Sequence, residues 1–298
     1  MSEPSSQSSD RRPDATDGVS DAKPGDPLRP RILGVVNITR DSFSDGGQFL
    51  DPENALGHCR NLLAAGADIL DLGAASSHPD GEGVSPAEEI RRLGPVLAGL
   101  AELPARANPA VSIDSFQPEV QRFALGSPIV KYLNDINGFP HPEVYPDLAA
   151  TDCRLIVMHS IQRRGQADRR ESEPARILDE IGEFFEERVN HLTAAGIARD
   201  RLILDPGMGF FLGPRPEASL NVLRGIGLLK RRFGLPVLIS VSRKSFLGAL
   251  TNRPTDKRGA ATLAAELFAA RQGADYIRTH DPAALRDGLT IDTALRGA

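Results

Sequence analysis

Eight short apolar runs recur along the chain, and each stops at a polar residue. Ile32-Leu33-Gly34-Val35-Val36 stops at Asn37, and Asp68-Ile69-Leu70 at Asp71. Val111-Ser112-Ile113 stops at Asp114, and Ile129-Val130-Lys131-Tyr132-Leu133 at Asn134. Leu155-Ile156-Val157-Met158 stops at His159, and Leu202-Ile203-Leu204 at Asp205. Val237-Leu238-Ile239-Ser240-Val241 runs into Ser242-Arg243-Lys244, and Tyr276-Ile277 into Arg278-Thr279-His280. Short apolar runs separated by helical stretches read as buried parallel strands. Eight of them predict an α/β fold, a single (β/α)8 TIM barrel, whose active site lies at the C-terminal ends of the strands. Convergent Asn, Asp, His, Arg and Lys at one barrel mouth point to an enzyme.

The intervening stretches carry helix signals. Pro52-Glu53-Asn54 opens a helix through Leu63 that Gly66 stops. Ser85-Pro86-Ala87-Glu88 reads as a capping box with Pro at the first helical position, starting a helix toward Leu100. Gln117-Pro118-Glu119 starts another that ends near Gly126. From Pro174 to Ala195, apolar residues at Ile177, Leu178, Ile181, Phe184, Phe185, Val189 and Leu192 mark an amphipathic helix. Ser219–Phe233, Ala260–Gly273 and Arg286–Leu295 supply the rest. Residues 1–29, rich in Ser, Asp, Pro and Arg, hold too little apolar area to offset the entropy of ordering, so a disordered polar tail is expected ahead of a barrel over 30–298.

Composition narrows the partners. Across 298 residues, 40% are apolar and the net charge is −5, so no global field draws in nucleic acid or an anionic membrane. No apolar run approaches the roughly 20 residues that span a bilayer, and the N-terminus lacks the apolar core of a signal peptide. A cytoplasmic location is expected. Cys59 and Cys153 read as buried free thiols; two cysteines without a CxxC pair make thiolate zinc improbable.

Candidate chemistry falls into three groups. The loops after strands 7 and 8 often bind phosphate in such barrels, and here they carry Ser242-Arg243-Lys244-Ser245 and Arg278-Thr279-His280. Either segment alone reads as a basic turn; both after the right strands favour an anion site. Asp71, Asp114, Asn134 and Asp205 are expected to converge in the bore. One such residue can merely cap a helix. Four together suit a flat polar heterocycle, because a carboxylate accepts parallel N–H bonds and an amide both donates and accepts. Asn37, ahead of the Gly-rich loop 39–49, offers oxygen to a hard cation such as Mg²⁺. No G-x-G-x-x-G follows a strand, and no nucleophile–base pair stands out.

At these residues the chain resembles dihydropteroate synthases. The likeness spans Arg31 to about Arg296 and rests on Asn37-Ile38-Thr39-Arg40-Asp41-Ser42-Phe43-Ser44-Asp45-Gly46-Gly47, Val111-Ser112-Ile113-Asp114, Leu133-Asn134-Asp135, Val157-Met158-His159, Asp205-Pro206-Gly207-Met208-Gly209-Phe210, Ser242-Arg243-Lys244-Ser245-Phe246 and Arg278-Thr279-His280. It implies a homodimer of barrels that joins 4-aminobenzoate to 6-hydroxymethyl-7,8-dihydropterin diphosphate in folate biosynthesis. By the same resemblance, Asp71, Asp114, Asn134, Asp205 and Lys244 hold the pterin with Met158 packed on it. Asn37, His78, Arg278 and His280 meet the diphosphate, Asn37 also Mg²⁺. Ser77, Phe210, Phe211 and Ser245 meet 4-aminobenzoate.

The chain departs from the chromosomal pattern twice. Where that pattern reads Ser-Thr-Arg-Pro-Gly, Ser76-Ser77-His78-Pro79-Asp80 stands here, and Phe211-Leu212-Gly213 replaces Gly-Lys after Phe210. Both departures look like the plasmid-type, sulfonamide-insensitive subgroup, in which an added aromatic wall is expected to admit the planar carboxylate and exclude the bulkier drug. Two alternatives stay open: a folate-dependent methyltransferase, and a pterin-binding barrel without turnover.

Overall fold

The computed structural model describes residues 29–39, 51–75, 83–103, 109–161 and 173–297. Eight strands form one parallel sheet: β1 (Arg31–Asn37), β2 (Ile69–Gly73), β3 (Ala110–Asp114), β4 (Val130–Asp135), β5 (Arg154–Met158), β6 (Leu202–Asp205), β7 (Leu238–Ile239) and β8 (Tyr276–Thr279). Their order is β6-β5-β4-β3-β2-β1-β8-β7. The ends of that order meet through a parallel bridge between Leu204 and Val237 and the Leu204 N–H on Pro236 O at 2.9 Å. The expected (β/α)8 barrel is therefore present. β7 is shorter than the apolar run Val237–Val241, because its pairing with β8 ends at Ile239–Ile277.

Seven helices wrap the sheet where the punctuation placed them, with three boundary corrections, and two short ones join them among the described residues. α1 (Pro52–Ala64) is capped by Asp51, whose side chain accepts from the Glu53 N–H. α2 (Pro86–Ala101) is capped by Ser85, which accepts from the Glu88 N–H at 3.3 Å. α3 (Pro118–Leu125) and a short α4 (Tyr145–Ala149) follow. α5 (Ile177–Ala194) starts three residues after Pro174, which lies in a turn. α6 (Pro216–Phe233) starts three residues before Ser219, with Pro at its first turn. α7 (Ser245–Thr251) and α8 (Gly259–Arg271) come next. α9 (Pro282–Arg296) begins four residues ahead of the expected Arg286, because the Asp281 side chain caps the Ala284 N–H at 3.1 Å and Pro282 suits the first turn. Met1–Leu28 and most of the loops 39–49, 74–83 and 160–173 lie outside the described residues, and Ser77 and His78 with them. Cys59 and Cys153 are buried free thiols, as expected.

Two apolar layers result. Outward strand residues such as Ile32, Val36, Leu70, Leu72 and Ile113 pack under the helices. Inward residues Leu33, Ile69, Tyr132, Ile156, Ile203, Leu238 and Tyr276 fill the bore. Each fully buried aliphatic of this kind contributes about 1.5–3 kcal/mol. The four even strands then repeat one step. Ile69, Tyr132, Ile203 and Tyr276 are apolar or aromatic; two residues on, on the same strand face, stand Asp71, Asn134, Asp205 and Arg278. Alternate strands feed one layer of a barrel interior, so this step turns an apolar floor into a polar tier.

Candidate active site

The polar tier is knit by an arginine. Arg278 Nε donates to Asp71 Oδ2 at 2.5 Å, and Arg278 Nη2 to Asp114 Oδ2 at 2.9 Å. β1 separates β8 from β2, so the side chain reaches across the bore rather than to a neighbouring strand. Asp71 is fully buried and Asn134 nearly so. Asp71 Oδ1, Asn134 Oδ1 and Ser112 Oγ, all from inward positions of β2, β4 and β3, have no hydrogen-bond partner among the described residues. Buried acceptors without donors are costly, roughly 1–3 kcal/mol each. The tier thus holds more acceptors than its own donors satisfy.

The loop after β6 supplies a second wall. Asp205 Oδ1 accepts the Gly207 N–H at 2.8 Å, which turns the chain back over the bore. Gly207 has φ +71°, and a Cβ there would lie 2.3 Å from His159 O, so only glycine fits. Met158 ends β5 opposite Asp205. Phe210 is half exposed, whereas Phe211 is buried with Lys244 Nζ 4.7 Å above its ring. That is cation–π distance. His159 is held at the back, its Nδ1 3.2 Å from Pro206 O and its ring edge-on to Phe184.

The loops after β7 and β8 form the third wall. His280 Nδ1 lies 2.9 Å from Ser242 Oγ, and the His280 N–H donates to the same oxygen at 3.2 Å. Arg243 sits between Ser242 and Lys244 with φ +60°, a left-handed conformation rare for such a side chain. One stripe running onto α8 holds it there. Thr262 Oγ1 accepts the Arg243 N–H at 3.0 Å, and Arg258 Nη1 donates to Arg243 O at 2.8 Å. Four residues beyond Thr262, buried Glu266 lies close to Thr279, the residue between Arg278 and His280. Strain at such a site persists only where the surroundings impose it. Ser245 opens α7 beside the Gly209 backbone, and Asn37 ends β1 half-buried at the same mouth.

Burial dominates the electrostatics. It pushes the Asp114 carboxyl up to about 7 against the pull of Arg278, and the Asp205 carboxyl up to about 6 against the Gly207 N–H and Lys244. Burial and the nearby Arg278 lower Lys244 to about 8. Burial also works against the Arg278 charge, but Asp71 and Asp114 more than offset it and hold that group above the ordinary arginine range. His280, half-buried and beside Arg243, Arg278 and Lys244, is pushed down to about 3 by desolvation and those charges. Among the described residues no group of three His, Cys, Asp or Glu stands ready to hold a metal.

The structure brings Asp71, Asp114, Asn134, Met158, Asp205, Phe211, Lys244, Arg278 and His280 to one end of the barrel, with Asn37, Phe210 and Ser245 on its rim. Three contributors escaped the sequence reading. Ser242 was visible only as part of a basic motif, and no local signal ties it to His280. Thr262 and Glu266 sit one helical turn apart, which hints at a shared face, but what that face supports depends on the tertiary fold.

Comparison with known proteins agrees with this geometry. Residues 33–280 match the pterin binding enzyme family. The type-2 dihydropteroate synthase of Escherichia coli is 57% identical over 265 residues, covering 89% of this chain and 96% of that one. The Xanthomonas albilineans dihydropteroate synthase with 4-aminobenzoic acid superposes with a TM-score of 0.81 at 34% identity, covering 91% and 95%. The same enzyme in complex with 7,8-dihydropteroate gives 0.77 at 34%, covering 91% and 95%. The matched stretch runs from β1 to His280 and takes in every described residue of the site, so the chain belongs to the pterin-binding enzymes, in their dihydropteroate synthase family.

Proposed function

We propose that the chain condenses 6-hydroxymethyl-7,8-dihydropterin diphosphate with 4-aminobenzoate, giving dihydropteroate and diphosphate. The observation that carries this reading is the acceptor-rich tier: Asp71, Asp114, Asn134 and Asp205 around one arginine and one lysine. A 2-amino-4-oxopterin edge presents the parallel N–H donors that such a tier lacks. Asp114, Asn134, Asp205 and Lys244 take that edge, Asp71 holds Arg278 beside it, and Met158 packs on the ring. Arg278, His280 and His78 meet the diphosphate. Ser245 takes the 4-aminobenzoate carboxylate, with Ser77, Phe210 and Phe211 around its ring.

The chemistry needs no protein nucleophile. The C–O bond to diphosphate breaks, its electron pair leaving with the phosphate oxygen, and the electron-rich dihydropterin spreads the methylene cation. The aniline nitrogen then forms the C–N bond and sheds its proton. Arg278 and Lys244 stabilise the charge that develops on the leaving group. Asn37 offers one amide oxygen, which suits Mg²⁺ because that ion takes few protein ligands alongside phosphate oxygens and water. When bound, it would neutralise part of the diphosphate charge.

The chain's likeness to the type-2 synthase and its Phe210-Phe211 pair support insensitivity to sulfonamides. A second copy of the chain is supported by exposed Leu250, Phe268, Ile291 and Leu295 on the neighbouring helices α7, α8 and α9. No helix among the described residues is long and apolar enough to cross a membrane. The test is diphosphate release with both substrates while sulfamethoxazole is titrated. Release that needs both substrates and survives the drug is expected. No release overturns the activity; loss at the drug level that stops a sulfonamide-sensitive dihydropteroate synthase assayed alongside overturns the insensitivity. An unchanged inhibition constant on deleting Phe211 removes the aromatic wall as its cause.

A further inference from the structure

We infer that Ser242 is a positioning residue that fixes His280 as the Nε2–H tautomer, so that a neutral ring aims one N–H at an anion in the mouth. The kinetic consequence rests on the reading of His280 as a diphosphate contact; the tautomer does not.

Ser242 is buried, and its Oγ lies 3.2 Å from the His280 backbone nitrogen and 2.9 Å from Nδ1. The backbone N–H can only donate, so Oγ accepts there. A hydroxyl has one proton to give. With a proton on Nδ1, Oγ would accept twice, and its own hydrogen would have no further partner among the described residues. With Nδ1 bare, the hydroxyl donates to it and all three groups are satisfied. A stranded buried donor biases such a balance by roughly tenfold or more. The ring proton therefore sits on Nε2, the corner away from Ser242.

Charge points the same way. Arg243 and Lys244 face the ring from the loop after β7, Arg278 from β8 itself, and His58 from α1. Burial among these groups keeps the imidazole neutral far below physiological pH. His280 then adds direction rather than charge to anion binding, leaving the charge to Arg278 and Lys244.

The test uses the full-length enzyme labelled with ¹⁵N-histidine. Two-bond proton–nitrogen spectra distinguish the two ring nitrogens, and loss of a peak set in His280→Gln assigns them. We expect a protonated Nε2, a bare Nδ1, and no titration between about pH 5.5 and 8. Ser242→Ala should give mixed tautomers and raise KM for the pterin diphosphate about tenfold. KM for 4-aminobenzoate should stay put, and Ser242→Thr should restore both signatures. A protonated Nδ1 in the wild type, or Ser242→Ala with unaltered spectra, overturns the inference. If the tautomers mix but KM for the pterin diphosphate does not move, the assignment stands and the diphosphate reading of His280 fails.

Discussion

The two ends of the barrel bore are built from similar parts and behave differently. At the N-terminal end, Tyr132 and Tyr276 meet edge to face at 6.2 Å. Arg31 Nη1 donates to the Tyr132 hydroxyl at 2.6 Å, and Arg154 Nη1 to that of Tyr276 at 3.2 Å. Each arginine there finds a neutral acceptor, and burial pushes the Tyr132 phenol up to about 12, so no carboxylate is stranded. At the C-terminal end, one arginine faces two carboxylates, and further acceptors go without donors. The first end is a plug whose polar contacts close on themselves. The second is left open to a ligand that brings the donors. What separates a floor from an active site here is not polarity or burial but the balance of donors and acceptors.

Three experiments would break or sharpen that contrast. The largest effect is expected at the upper end. Replacing Arg278 by Met together with both Asp71 and Asp114 by Asn removes the two ion pairs without leaving either carboxylate buried and unpaired, so stability should hold or rise. The value of kcat/KM should nevertheless fall about 10³-fold, since a group that stabilises the leaving charge is gone. A large loss of Tm with activity retained per folded molecule would reverse the assignment of the two ends. The plug should answer in the opposite sense. Tyr132→Ala is expected to cost about 3–5 kcal/mol in urea unfolding, while kcat/KM of the folded fraction stays within roughly twofold. A smaller effect is expected from pH. Protonated Asp205 and Asp114 cannot accept the pterin N–H groups, so kcat/KM for the pterin substrate should climb as pH rises through about 6 to 7. It should drop above about 8, where Lys244 loses its proton. Lys244→Arg should move the alkaline limb upward; a flat profile would contradict the burial of the tier.

Much of this was legible before any coordinates. The strand ends named Asp71, Asp114, Asn134, Asp205 and Arg278 because a polar residue closing an apolar run is a local pattern. That Arg278 grips Asp71 and Asp114 was not legible. The pair lies 207 residues apart, and their meeting depends on β1 lying between β2 and β8. Helix starts were misplaced where the amphipathic pattern outweighed capping chemistry: Asp281-Pro282 is a strong start signal four residues before the apolar periodicity suggested Arg286. The Ser242–His280 bond and the Thr262–Glu266 stripe were out of reach for another reason. Hydroxyl partners leave no periodic trace, and a buried glutamate on a helix looks like a solvated one until the strand it backs is known.

The two-residue step on the even strands bears on how such a pocket diversifies. Each corner of the tier hangs from its own strand, above a floor residue that already secures that strand in the bore. Asn134 can change without touching Tyr132, and Asp205 without touching Ile203. Recognition can therefore be rewritten one corner at a time, with the scaffold indifferent to each revision. A lineage under pressure to refuse one aromatic acid and keep another would find its freedom in the loops and corners, and its constraint in the layer beneath.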